Sequence, residues 1–195
     1  GWRVHRVCLV AGQLTVGNWV VAAIDTARRQ AIARSHTATH MLHKALQETL
    51  GAQATQAGSE NSENQLRFDF HHGKSLSDGE AEQIFDRIND QLRENLPVNT
   101  EIMSLEDAKK SGATALFGEK YGQEVRVVDI GNGWDRELCG GTHMPTTGYL
   151  GQVVLMSESS IGSGLRRIEA IVADKAADFQ AKEHELITQI AKIMG

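Results

Sequence analysis

Arg34-Ser35-His36-Thr37-Ala38-Thr39-His40-Met41-Leu42-His43 lies within a longer stretch, 28–50, whose pattern is helical and which stops at Gly51. Residues four apart on a helix lie on one face, one turn up. His36 and His40 can therefore aim two imidazoles at one point. A second pair, Cys139 and His143, brackets Gly140-Gly141-Thr142 in a Gly-rich segment that can fold back tightly. Together the pairs offer three nitrogens and a sulfur, a donor set that suits zinc. Almost a hundred residues separate them, so the chain must fold as a domain that closes on the metal, unlike a local zinc finger.

His43 competes for the same role, because it follows His40 by three residues. It lies about 10 Å along the axis from His36, too far to share an ion with it. The pair His40 and His43 stays open as an alternative, and the i,i+4 spacing favours His36 with His40. A zinc peptidase is excluded, since no glutamate follows the first histidine. His71-His72 reads as a solvated strand end. Four ligands make a closed structural site, whereas three leave a place for water, and both remain possible here. An open site would serve ester or amide hydrolysis. No Gly-x-Ser-x-Gly elbow and no Walker loop is present.

Outward from these motifs, Val4–Val10 and Trp19–Ile24 read as short strands separated by Gly12 and Gly17-Asn18. With no initiator Met ahead of them, they suggest a piece of a longer polypeptide and part of a small β-barrel over residues 1–27. Leu66, Phe68 and Phe70 alternate with Arg67 and Asp69, as in a half-buried strand over Gln65–His71. Ser77-Asp78-Gly79-Glu80 is a capping box, followed by a helix with Ile84, Phe85, Ile88 and Leu92 on its apolar face. Further strands are expected at Val98–Met103, Glu124–Ile130, Gly151–Met156 and Leu165–Val172, with a short helix at Leu105–Lys110. Residues 131–149 read as a Gly-rich loop. From Ala173 the chain turns helical, with Ala176, Phe179, Leu186, Ile190 and Ile193 along one stripe, as in a connecting helix.

The 195 residues suffice for one domain with a sizeable core. No apolar run approaches the ~20 residues of a membrane span, which predicts a soluble, cytoplasmic protein. Acidic groups outnumber basic ones by 25 to 20, which is not the footprint of a free-standing nucleic-acid binder. Any RNA contact must be local; Arg28, Arg29, Arg34, Arg166 and Arg167 are the basic candidates, and a solvated surface is the plainer reading of them. Of two cysteines, Cys8 sits in an apolar run and reads as a small buried residue.

An ordered set of segments then stands out. It comprises residues 34–43, Gln56-Ala57-Gly58-Ser59, Arg67-Phe68-Asp69-Phe70, Gly112-Ala113, Ala115 through Gly122, Glu137 through His143, and Arg166 through Ala170. The set closely resembles the editing domain of alanyl-tRNA synthetases and covers nearly the whole chain. The resemblance implies hydrolysis of the ester in tRNA(Ala) mischarged with serine or glycine, with zinc held by His36, His40, Cys139 and His143. It implies that Thr39 and Gln56 line the pocket that sorts serine from alanine. On the residues alone, Thr39 is a helix threonine bonding its own backbone. A second sieve makes physical sense, because an alanine-sized pocket cannot exclude glycine and a hydroxyl adds little discrimination. Two departures from the family pattern, Gly162-Ser163-Gly164-Leu165 and Asp135, are expected to touch loop detail rather than ligands.

The expected fold is α+β, with a mixed, mostly antiparallel sheet flanked by helices and a partial β-barrel at the start. The expected division is a barrel segment at 1–27, an editing domain at 28–172 and a connecting helix at 173–195. Expected partners are the aminoacylated 3′ end of tRNA(Ala) and the remaining synthetase domains, with no membrane and no DNA. Two other readings stand beside this one: a free-standing alanyl-tRNA editing protein, and a non-catalytic, zinc-stabilised RNA-binding module.

Overall fold

In the computed structural model, which describes residues 4–115 and 121–194, helix α1 (Thr26–Leu50) is the central element. Asp25 caps it by accepting the Arg28 N–H at 2.9 Å, and Gly51 ends it with a φ of +102° that other residues resist. Ala38, Met41, Leu42, Ala45 and Leu46 have no solvent exposure. They pack on a four-stranded sheet of order β1-β2-β7-β6, formed by β1 (Gln56–Ser62), β2 (Gln65–His71), β6 (Val153–Gly162) and β7 (Leu165–Val172). Phe68 and Phe70 of β2 and Ile168 and Ala170 of β7 alternate into this core, as period-two strands must.

Helix α2 (Asp78–Arg93) opens on the expected capping box, with Ser77 and Glu80 each bonding the other's backbone N–H. Its Ile84, Phe85, Ile88 and Leu92 are buried. Asn89 ties α2 to the sheet by bonding both the N–H and the C=O of Val153. A second sheet, β3-β4-β5, joins β3 (Val98–Ser104), β4 (Glu124–Ile130) and β5 (Asp135–Leu138). The short helix α3 (Leu105–Lys110) covers one side, where Ala108, Val125, Val127 and Leu138 form a small second core. Val128 and Ile130 face the main core instead. Helix α4 (Ala173–Met194) leaves the sheet with only Ala176 buried.

The class is α+β. The strands divide into two sheets, and all their ladders are antiparallel. Two strands were not expected: β1, and β5 inside the supposed Gly-rich loop 131–149. The reverse holds at the start. Residues 4–25 form neither strands nor a barrel among the described residues, and Val4, Val10, Val16 and Trp19 are almost fully exposed. β-Branched sequence becomes a strand only against a partner edge, and none is paired with these residues. Cys8 is accordingly exposed rather than buried. The expected motif residues Leu116 to Lys120 lie outside the described residues. No helix is long and apolar enough to cross a membrane among those described.

Candidate metal centre

α1 presents His36 and His40 one turn apart, and the chain leaving β5 brings Cys139 and His143 against them. The four donor atoms lie within 4.8 Å of one another. Cys139 Sγ is 3.5 Å from His36 Nε2 and 3.4 Å from His143 Nε2. His43, the competitor, stays out of this group. Such a cluster of one sulfur and three imidazoles can hold a metal ion.

The loop reaches His36 through a missing side chain. A Cβ on Gly141 would stand 2.1 Å from His36 Cε1 and 2.4 Å from its Nδ1, so only glycine fits. Arg126 pins the same loop from β4, its Nη1 donating to the carbonyls of Cys139 at 2.9 Å and Gly141 at 2.7 Å.

Two of the four candidate ligands have partners behind them. Thr37 Oγ1 lies 3.3 Å from His143 Nδ1, donates to the Ala33 carbonyl at 3.0 Å and accepts the Met144 N–H at 3.1 Å. Glu137, only 3% exposed, sits between His40 and His43. Its Oε2 is 2.5 Å from His40 Nδ1, and its Oε1 contacts His43 Nδ1. Asp135, on the same face of β5, places Oδ2 3.9 Å from His40 Nδ1. Asp135 thus lies in a strand beside the candidate ligand His40, rather than in loop detail as expected. The departure at Gly162–Leu165 is confined to the β6–β7 turn.

The electrostatics follow from this burial. Desolvation opposes charge on Cys139, yet hydrogen bonds from His143, His36 and His40 outweigh it and draw the thiol down to about 3. Burial lowers His143 to about 4. His40 is buried too, but the Glu137 carboxylate and the Cys139 sulfur raise it to about 10. Burial would raise Glu137, but His40 and His43 hold it near 2. Burial and the neighbouring Glu137 push Asp135 well above the usual carboxylate range.

Thr39 and Gln56 each have hydrogen-bond partners outside the quartet. The Thr39 hydroxyl lies 3.0 Å from the Ser35 carbonyl and 2.8 Å from Asn61 Oδ1. Gln56, half-buried at the start of β1, donates to Ser59 Oγ at 3.2 Å. Thr37 and Glu137 carried no expectation of a role here, and Asp135 was expected to touch only loop detail. Assigning a strand to 135–138 would have put both acids on one face; nothing in the sequence marks Thr37.

A cleft of about 490 Å³ ends at the quartet, lined by Asp25, Arg28, Arg29, Ile32, His36 and Thr142 among others. Arg28 is paired with Glu63 at 2.6 Å, whereas Arg29 makes no ion pair among the described residues. Another cleft, between α1 and α2, is lined by Glu48, Glu82, Asp86 and Asp90 and lies away from the donors.

Comparison with known proteins relates the chain to one family. The family model described as the threonyl and alanyl tRNA synthetase second additional domain matches residues 125–169, which include Cys139 and His143. The alanine–tRNA ligase of Bifidobacterium longum is 56% identical over 189 residues, 96% of this chain and 21% of that ligase. That of Acidothermus cellulolyticus is 51% identical over 192 residues, 98% of this chain and 22% of the ligase. That of a Nocardioides species is 50% identical over 191 residues, 98% and 21% respectively. The chain spans about a fifth of the length of the curated relatives it matches. It belongs to the alanine–tRNA ligase family, in the part that carries the second additional domain.

Proposed function

We propose that this chain is a zinc-dependent editing hydrolase, cleaving the ester of tRNA(Ala) mischarged with serine or glycine. One observation supports the reading: two segments 103 residues apart bring Cys139 beside His36, with His143 on its other side. Zinc bonds of about 2.05 Å to nitrogen and about 2.3 Å to sulfur imply nitrogen–sulfur edges of about 3.5 Å. The 3.4 and 3.5 Å separations at Cys139 match that edge. A thiolate with imidazoles is a donor set that selects zinc. When bound, zinc would polarise the ester carbonyl and lower the pKa of a water.

The chain's own residues supply placement. Glu137 and Thr37 orient His40 and His143, and Arg126 holds the loop. The cleft along α1 admits the acylated terminal adenosine, with its ester at the His36 end. Arg29, seven residues and so about 10 Å earlier on the helix, meets the phosphate behind that adenosine. Thr39 and Gln56 enter the proposal as the residues that sort serine from alanine, tested by the serine-to-alanine rate ratio of T39A and Q56A. The remaining ligase domains would supply the tRNA-recognition surface that this acidic chain lacks.

Incubation with seryl-tRNA(Ala) tests the proposal. Ester loss well above buffer, abolished together with metal binding in Cys139→Ala, is expected. A second reading draws on the four-ligand set, which is the form of a structural zinc: a closed site in an RNA-binding module. Ester loss no faster than in buffer at high protein concentration would favour that module.

A further inference from the structure

We propose that Gln47, His43 and Glu137 form a brace that fixes the ring orientation and tautomer of the metal ligand His40. The proposal rests on the metal reading above. His43 competes with His36 on the same helix face, and its place in the structure gives it this different task.

The bonding runs in one direction. Gln47 Nε2 lies 3.0 Å from His43 Nε2. An amide nitrogen only donates, so His43 Nε2 is the bare nitrogen and His43 Nδ1 carries the proton. That proton goes to Glu137 Oε1. The other carboxylate oxygen, Oε2, sits 2.5 Å from His40 Nδ1 as an ion-pair contact. A carboxylate only accepts, so with a metal bound it favours the proton on His40 Nδ1 and the bare Nε2 on the side of the quartet. Metal-bound histidines characteristically have such a carboxylate behind them, and its loss costs 10–100-fold in affinity.

What is specific here is that the carboxylate is itself held. Glu137 reaches α1 from β5, and His43 is its second anchor. Residues 36, 40, 43 and 47 climb one face of α1, so one helix supplies two ligands and the far end of the brace. His43 is 2% exposed and its ring lies tilted against Phe68, centroids 5.5 Å apart, so it cannot swing away to another partner.

Zinc affinity measured by competition with a chromophoric chelator, and the visible spectrum of the cobalt-loaded protein, test the brace. Both read the metal site, so absent ester hydrolysis would remove the editing reading and leave this one standing. His43→Phe keeps ring volume and removes the proton donor. It should weaken zinc binding about tenfold and shift the cobalt bands, with an unchanged far-ultraviolet circular dichroism spectrum. Glu137→Gln should weaken binding 10–100-fold, and the double variant should be no weaker than Glu137→Gln alone. Should Glu137→Gln fail to fold, Gln47→Leu replaces it: binding should weaken severalfold when His43 is present and not at all in His43→Phe. Zinc affinity of His43→Phe within twofold of the unaltered chain, unshifted cobalt bands, or losses that multiply independently in either cycle would overturn the proposal.

Discussion

Gly141→Ala is the sharpest perturbation of the metal centre that leaves every ligand in place. The new methyl would stand 2.1 Å from His36 Cε1, whereas carbon atoms in contact sit at about 3.5 Å. Something must move by about 1.4 Å, and the loop is the less free of the two partners. Arg126 holds the carbonyl of Gly141 itself and that of Cys139, so the imidazole must give way. Metal–ligand distances tolerate only about 0.2 Å. His36 would then drop out of the set. Four ligands sharing about 10–16 kcal/mol of binding contribute roughly 3 kcal/mol each, which is a loss of roughly 100-fold in affinity. A chelator-competition titration measures it directly. Gly140→Ala is the control, since a Cβ there meets nothing within 4 Å. Affinity of Gly141→Ala within threefold of the control would refute the close approach of this loop to His36, and with it the shared site.

Phe68→Ala removes a fully buried ring from the centre of the main core and should cost about 3–5 kcal/mol, read as a lowered urea midpoint; a loss below ~1 kcal/mol would contradict that placement. Glu80 is held near 2 by the Ser77 N–H, with help from Lys74 and the Ser77 hydroxyl. A depressed carboxylate stabilises fully above its unfolded value of about 4.5 and loses that contribution as pH falls through about 2. Glu80→Gln should therefore lower the thermal midpoint at pH 7, with the gap to the unaltered chain closing across that window; a gap independent of pH would assign the effect to packing. Arg29→Glu should raise KM for seryl-tRNA(Ala) several-fold and reduce the salt slope of binding by about one, and an unchanged slope would take Arg29 off the RNA path.

Much of the fold was legible because its periodic segments are long. α1 runs for 25 residues, and the Leu66–Phe70 alternation and the Ser77 capping box each carry their own local signal. The four donors were legible for the same reason, as two short pairs of fixed spacing. What surrounds them was not. β5 has four residues, too few for alternation to separate it from the glycines on either side. The inward turn of Asp135 and Glu137 was hidden with it. Thr37 looks like any helix threonine until the Met144 N–H and the His143 ring arrive from more than a hundred residues away. The opening segment failed in the opposite sense. Val4 to Val10 has strand composition, but composition supplies no partner for the backbone.

The centre also explains why the two sheets need each other. α1 lies on the four-stranded sheet, while Cys139 and His143 leave the three-stranded one, so the quartet lies where the two halves meet. The mutual hydrogen bonds and charges there lower the Cys139 thiol and the Glu137 carboxyl and raise His40, so all three groups favour their charged forms. Buried charges cost heavily unless they are paired, and here one cation faces two anions. A divalent ion that takes the place of the His40 proton brings the thiolate and Glu137 to exact charge balance. On this argument Glu137 is part of the electrostatics of the site as much as of its geometry. With a divalent ion bound, a neutral residue there would leave excess positive charge at the meeting of the two sheets.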